Sequence, residues 1–164
     1  MDILGELPES TSNNKYILVV SDYFTKWVEA YALPDQTAQT VADVLVRDFI
    51  CRFGAPTYLH SDQGENFESH LLKEVCQLLG IKKTRTTAYH PQCDGQVERF
   101  NRTLLQMLKT VGNEEQDDWD EHLEYVVAAY RHSHHESTGY SAFYMMYGRH
   151  ANIPLDVIVG LPPR

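Results

Sequence analysis

Two short polar motifs constrain most strongly what this chain can fold into. The first, SDQGENF, spans residues 61–67 and contains Asp62, and the second, HPQCDGQVERFNRTL, spans residues 90–104 and contains Glu98. Thirty-five residues separate these two acids, and a third acid, Asp2, stands at the start of the chain. Converging carboxylates can hold hard divalent cations, because Mg²⁺ takes oxygen ligands and leaves positions open for phosphate oxygens. A fold that uses these acids together must bring three distant segments to one place.

The size and composition of the chain predict one globular domain over residues 1–164. The chain has 164 residues, of which 43% are hydrophobic and 23% are charged, close to the averages for globular proteins. A domain of this length can bury a sizeable core, and no repeat or low-complexity segment divides it. The apolar stretch at residues 16–20 is far shorter than the roughly 20 residues that a membrane span requires, so no membrane partner is expected.

Apolar patterning in the first third of the chain predicts three strands and a helix. Strands at residues 2–4, 16–22 and 27–33 are separated by short polar connections, which favours an antiparallel meander. Residues 37–53 have apolar side chains at helical spacing, with Thr37 as the expected N-cap and a Gly-Ala-Pro sequence after the last turn.

The remainder of the chain alternates between strand and helix signals. A strand at residues 58–61, a helix at 69–79 and a strand at about 81–86 predict a parallel crossover that carries Asp62 at the end of its first strand. Three further helices are predicted at residues 96–111, 119–132 and 141–147.

The chain resembles the catalytic cores of retroviral and gypsy-type retrotransposon integrases, whose acids follow a D,D-35-E pattern. Besides the two acidic motifs, YILVVSDYFTKWVEAYALPDQTA at residues 16–38 is similar to their second and third strands, and STGYSAFYMMYGR at residues 137–149 is similar to their C-terminal helix motif. The resemblance covers essentially the whole chain. It implies an α/β fold of the ribonuclease H-like class, in which an antiparallel triplet and two parallel strands form a five-stranded mixed sheet flanked by helices.

The catalytic and metal-binding residues that the resemblance implies are Asp2, Asp62 and Glu98. They would bind two Mg²⁺ or Mn²⁺ ions for 3′-end processing of element DNA and strand transfer into target DNA. From the residues alone, Asp62 could equally be a turn or N-cap acid, and Glu98 a first-turn acid that complements the helix dipole. Asp22 competes with Asp2 because it also ends an apolar strand. The motif alignment favours Asp2 and leaves Asp22 a structural residue that bonds Thr25.

DNA contacts are expected on the helix that begins near Glu98 and on the strand before the second motif. Glu98, Asn101 and Arg102 share a helix face, and the resemblance implies a basic DNA contact at the position of Arg102, although an i,i+4 ion pair is the alternative. His90 in the second motif is a further candidate DNA contact, although it could instead fix the conformation of its loop. The predicted DNA-binding residues are Lys82, Lys83, His90, Gln92, Arg99, Asn101 and Arg102.

A formal net charge of −9 is unfavourable for DNA binding, because DNA-binding proteins usually carry a basic surface patch. The acids concentrate in residues 114–124, whereas basic residues bracket the proposed site, and local sign can differ from global sign. The chain alone should therefore bind DNA weakly. The resemblance implies that the N-terminal zinc domain and the C-terminal DNA-binding module of these integrases are absent from residues 1–164.

The resemblance also implies partners and alternatives. The partners of this chain would be element-end DNA, target DNA and further copies of the chain in a homodimer or higher multimer. A host tethering factor is a further possible partner. The expected location is the nucleus. One alternative is a domesticated, catalytically silent module that binds DNA or protein. The other is a ribonuclease H-type nuclease, which would read the 2′-hydroxyls of RNA.

Overall fold

The structure is a computed structural model that describes residues 1–85 and 95–152. Its first three strands, β1 (Asp2–Leu4), β2 (Tyr16–Ser21) and β3 (Val28–Leu33), form an antiparallel meander in the order β1-β2-β3. The four middle residues of β2 are all buried, as expected for a strand that is covered on both faces. The predicted meander is confirmed.

The predicted helix at residues 37–53 is confirmed, with an irregular middle. It consists of α1 (Ala38–Val44), a π-helical segment (Leu45–Ile50) and α2 (Cys51–Phe53). The Thr37 side chain caps the first turn by accepting the backbone N–H of Thr40. Gly54 follows at a φ of 86°, a left-handed conformation that glycine adopts without a steric penalty.

The parallel crossover is formed by β4 (Tyr58–Ser61), α3 (His70–Leu78) and β5 (Lys82–Arg85), with Tyr58 paired to Lys82. The Ser69 side chain caps α3 by accepting the N–H of Leu72. Beside this pair, the amino group of Met1 donates a 2.6 Å hydrogen bond to the carbonyl of His60. The contact brings the start of β1 alongside β4.

The predicted antiparallel triplet and parallel pair are confirmed, but the predicted count of five strands in a single sheet is not exact. The triplet and the pair form a three-stranded and a two-stranded sheet, which meet at the contact between Met1 and His60. Because β1 has only three residues and already pairs with β2, it offers a short edge to β4.

The second half of the described chain is mostly helical. Its helices are α4 (Gly95–Val111), α5 (Trp119–His132) and α6 (Ala142–Tyr147). A small hairpin that the sequence did not predict, β6 (His134–His135) and β7 (Tyr140–Ser141), connects the last two. Among the helices of residues 1–85 and 95–152, none is long and apolar enough to cross a bilayer.

The meander separates two hydrophobic clusters, because successive side chains of a strand point to opposite faces. Leu18 and Val20 pack on one face with the helix that follows β3 and with α3. Ile17 and Val19 pack on the other face with α4 and α5, where Phe100 is among the most deeply buried side chains. Helix α4 is therefore held against the sheet by its apolar face.

A buried ion pair connects α5 to β3. The Glu29 side chain is 1% exposed and lies 2.8 Å from the guanidinium of Arg131, and the indole N–H of Trp27 donates to Glu29 at 2.8 Å. Arg131 also donates to the carbonyl of Val28 and lies 4.6 Å from the Trp27 ring centroid. The charge of Glu29 is thus compensated by Arg131 and Trp27 inside the core, and by Arg52 at 3.8 Å.

Candidate active site

Three acids from distant segments line one cavity of about 390 Å³. Asp2 lies on β1, Asp62 follows β4 directly, and Glu98 lies in the first turn of α4. The first two come together because β1 and β4 lie side by side, and the third because the apolar face of α4 packs on the meander. The structure therefore brings together the three residues that the sequence predicted as catalytic.

Asp2 is half-buried and hydrogen-bonded through both carboxylate oxygens. Its Oδ1 accepts the N–H of Ile3 at 2.9 Å, and its Oδ2 accepts the side-chain N–H of Asn101 at 2.7 Å. Burial raises the pKa of Asp2 above its ordinary value, and the negative charge of Asp62 adds to the rise, whereas the hydrogen bonds from Ile3 and Asn101 oppose it. The negative charge of Asp62 thus makes ionisation of Asp2 less favourable.

Asp62 is exposed and begins a tight turn. Its Oδ1 accepts the N–H of Gly64 at 3.0 Å, and the carbonyl of Gly64 accepts the N–H of Phe67 at 2.9 Å. Phe67 is 2% exposed and belongs to the core, so it anchors the turn to the hydrophobic cluster. This turn contact uses one oxygen of the Asp62 carboxylate.

Glu98 is exposed at the solvent side of α4, while its neighbours anchor the helix. Val97 and Phe100 are buried in the cluster beneath the meander. Asn101, three positions after Glu98, is 6% exposed and donates to Asp2. One turn of α4 therefore presents the third acid and supports the first.

Asp22 also lines the cavity, but its carboxylate is engaged in a turn. Its Oδ2 accepts the backbone N–H of Thr25 at 2.8 Å and the Thr25 hydroxyl at 2.6 Å. The predicted bond between Asp22 and Thr25 is confirmed. This turn joins β2 to β3 at the rim of the cavity.

The donor chemistry of the cavity fits a hard divalent cation. Asp2, Asp62 and Glu98 offer only carboxylate oxygens, the ligands that Mg²⁺ and Mn²⁺ prefer, and a cation would relieve the repulsion that contributes to the raised pKa of Asp2. Within residues 1–85 and 95–152, no three His, Cys, Asp or Glu side chains lie close enough together to ligate one ion. The acids share a cavity without forming a closed ligand set.

The residues predicted to contact DNA fall into four groups, of which the first two contain the cations. Arg99 and Arg102 are exposed on α4, and Lys82 is exposed on β5 with its ammonium 5.4 Å from the ring centroid of Tyr58. Lys83 is mostly buried and lies 2.8 Å from Glu68; hydrogen bonds from Lys83 and Lys73 lower the pKa of Glu68 to about 2.

The other predicted contacts are placed differently. Asn101 is buried and committed to Asp2, so a DNA contact would require this side chain to leave the carboxylate. His90 and Gln92 lie outside the described residues, and their predicted DNA contacts stay predictions.

The side chains that hold the acids in place were not predicted from the sequence. The bond between Asn101 and Asp2 joins residues 99 positions apart. Gln96, two residues before Glu98, forms hydrogen bonds to the turn between β2 and β3. The only signal for Gln96 was its place within the second motif.

The family model described as integrase core domain matches residues 1–91. The chain is 29% identical over 94% of its length to the retrovirus-related Pol polyprotein from transposon 412 of Drosophila melanogaster, and 35% identical over 91% of its length to the Gag-Pol polyprotein of feline leukemia virus. It spans 12% and 8% of the lengths of these two proteins.

Solved structures match the fold. The crystal structure of the catalytic core domain of BIV integrase aligns with a TM-score of 0.66 at 30% identity, covering 80% of this chain and 86% of that one. The structure of a simian T-cell lymphotropic virus intasome in complex with the PP2A regulatory subunit B56 gamma aligns with a TM-score of 0.70 at 20% identity, covering 94% of this chain and 52% of that one. The second match shows the fold alone.

Proposed function

This chain belongs to the integrase core domain family, and we propose that it is the catalytic core of an enzyme that processes DNA 3′ ends and transfers them into target DNA. The observation that carries the proposal is the convergence of Asp2, Asp62 and Glu98 on one cavity. These acids come from β1, from the end of β4 and from the first turn of α4. A carboxylate set assembled from three elements is the arrangement that metal-assisted phosphoryl transfer requires.

The residues that would hold the metal are Asp2, Asp62 and Glu98. Two bound divalent cations, Mg²⁺ or Mn²⁺, would supply an activated oxygen nucleophile and stabilise the leaving 3′-oxygen. Asn101 donates to Asp2 through one oxygen and Gly64 donates to Asp62 through one oxygen. Both acids are therefore oriented by the protein while each retains lone pairs for a ligand.

The proposed reaction has two steps of the same kind. In end processing, the oxygen of water attacks a phosphorus atom of the element DNA, and the bond to the 3′-oxygen breaks as the new P–O bond forms. In strand transfer, the freed 3′-hydroxyl attacks a phosphorus atom of the target, whose own 3′-oxygen leaves. Each step exchanges one phosphate ester bond for another P–O bond, so it needs neither an oxidant nor a covalent enzyme intermediate.

DNA binding is proposed to use the exposed cations at the cavity's sides. Lys82, Arg99 and Arg102 are exposed and would contact phosphates, with His90 and Gln92 completing the set. The net charge of −9 opposes nonspecific binding, so these local cations must offset a repulsive background. Because the chain spans about a tenth of the polyproteins that it resembles, strong DNA binding is assigned to other parts of a larger assembly.

The proposed assembly is a homodimer or higher multimer on DNA in the nucleus. The intasome that shares this fold was solved with a PP2A regulatory subunit, which supports a host tethering factor as a further partner of this chain. Residues 1–164 are proposed to act as one catalytic domain within that assembly.

The test is strand cleavage and rejoining on branched duplex DNA with Mn²⁺, comparing the chain with Glu98→Gln and Glu121→Gln. Both acids are exposed in the first turn of a helix, so the two variants have the same effect on charge and on the helix dipole. Glu98→Gln should abolish activity, and Glu121→Gln should preserve it. A folded chain that is inert on every substrate would overturn the proposal in favour of a silent binding module. Preferential cleavage of RNA–DNA hybrid would overturn it in favour of a ribonuclease H.

A further inference from the structure

The Gln96 side chain connects the start of α4 to the turn between β2 and β3. Its Nε2 donates to the hydroxyl of Ser21 at 2.9 Å and to the carbonyl of Asp22 at 3.3 Å. Its Oε1 accepts a 2.8 Å hydrogen bond from the ammonium of Lys26. One amide thus makes three hydrogen bonds to the last residue of β2 and to two residues of the turn that follows it, 70 to 75 positions earlier in the chain.

Lys26 has an unusual backbone conformation for its residue type. Its φ is 64°, in the left-handed region that residues other than glycine seldom adopt. Its ammonium donates to the carbonyl of Tyr23 at 2.6 Å and to Gln96. A long side chain at a position that favours glycine points to a role for that side chain, and its contacts here are with the turn and with α4.

The connection joins the helix that carries Glu98 to β2, the strand that pairs with the Asp2 strand. Gln96 lies two residues before Glu98, and the turn follows β2, on which Val19 pairs with Asp2. We infer that Lys26 and Gln96 are positioning residues that hold the first turn of α4, and with it the Glu98 carboxylate, in place toward Asp2 and Asp62. The inference rests on the proposed function, because it assigns these contacts to the metal-binding state of the same cavity.

The contacts are not needed to attach α4 to the protein. Phe100, Leu104 and Leu108 are all buried beneath the meander, and burial of such apolar side chains supplies most of the free energy of helix docking. Gln96 and Lys26 are only half-buried. Their hydrogen bonds act on the end of the helix where Glu98 lies, which is where small displacements of a ligand matter most.

The first experiment measures Mn²⁺ binding in the absence of DNA, by titration calorimetry and by electron paramagnetic resonance of free Mn²⁺. Gln96→Ala should weaken Mn²⁺ binding by about tenfold or more, the effect typical of removing a group that orients a metal ligand. Gln106→Ala is the matched control, because Gln106 is exposed on the same helix. Both variants should melt at similar temperatures.

Lys26→Met and Lys26→Arg separate positioning from simple electrostatics. Both replacements keep a long unbranched stem at the same left-handed backbone position, but only Arg can donate to Gln96. Removing a positive charge near a cation site would by itself strengthen cation binding. The inference predicts the opposite sign, with weaker Mn²⁺ binding by Lys26→Met and recovery of most of the affinity by Lys26→Arg.

Glu98→Gln is the reference that separates failure of the inference from failure of the proposed function. If Glu98→Gln leaves Mn²⁺ binding unchanged, the metal site itself is misassigned. If Glu98→Gln weakens binding while Gln96→Ala and Lys26→Met do not, or while they only lower the melting temperature, the positioning role is refuted and the metal site stands.

Discussion

Replacing Asn101 by Leu should disable the site without unfolding the protein. Asn101 donates a 2.7 Å hydrogen bond to Asp2 from a position that is 6% exposed. Its Oδ1 is buried, and no donor within the described part of the chain reaches it. Leu has a similar volume and carries neither polar atom, so the substitution removes the support of Asp2 together with a buried unsatisfied acceptor.

The two effects have opposite consequences for stability. A hydrogen bond to a charged group contributes about 1.5–3 kcal/mol, and an unsatisfied buried acceptor costs about 1–3 kcal/mol. The free energy of unfolding should therefore change by less than about 1 kcal/mol. At Asp2, nothing compensates for the loss of the hydrogen bond that orients its carboxylate. Because it is only half-buried, water replaces part of the lost bond, and the lower limit of about 1.5 kcal/mol corresponds to about a tenfold loss of rate.

The assays are urea unfolding and strand transfer on branched DNA with Mn²⁺. The matched control is Gln106→Leu, which makes the same change of an amide to an apolar side chain at an exposed position of α4 and should leave the rate unchanged. A fully active Asn101→Leu would refute the support of Asp2 by Asn101. A loss of stability well above 1 kcal/mol would refute the compensation argument.

Three further predictions follow from charges in the structure. Asp2→Asn should raise the melting temperature at pH 7. The folded-state pKa of Asp2 is raised above its unfolded value, so its ionisation opposes folding at neutral pH. The advantage of Asn should shrink as the pH falls through that raised pKa and vanish below the unfolded-state pKa. Mn²⁺ should raise the melting temperature of the unmodified chain by mass action and should raise that of Glu98→Gln much less, as scanning fluorimetry can show. Arg131→Met should lower the free energy of unfolding by about 3 kcal/mol, the lower end for breaking a buried pair, because buried Glu29 loses its nearer cation and keeps Arg52 at 3.8 Å; urea denaturation should show Glu29→Gln restoring much of this loss in the double variant.

The elements with a strong repeating pattern were predictable from the sequence. The apolar run of β2 and the helical spacing of α5 gave boundaries within a residue of those in the structure, because burial on fixed faces imposes a regular period on the side chains. The π-helical segment Leu45–Ile50 and the two-residue strands β6 and β7 were not predicted. A π segment keeps the spacing of a helix over a short stretch, and two residues are too few to show alternation.

The acids of the site were predictable, but their surroundings were not. Asp62 and Glu98 stand in motifs that mark the end of a strand and the start of a helix. The partner of Asp2, by contrast, is 99 residues away, and the partner of Glu29 is equally remote. Such pairs depend on how helices dock on the sheet, and an Asn on a helix carries no sign of which carboxylate it will meet.

Helix α4 makes the site depend on one rigid element. Glu98 faces solvent, while Asn101, three positions later, reaches through the helix–sheet interface to Asp2. Because the two residues are less than one turn apart on the same helix, a displacement of α4 moves the third acid and the support of the first acid together. The apolar contacts of Phe100 fix the middle of this turn, and the hydrogen bonds of Gln96 fix its beginning. The placement of Glu98 relative to Asp2 is therefore determined by the docking of α4 on the meander more than by any property of the acids themselves.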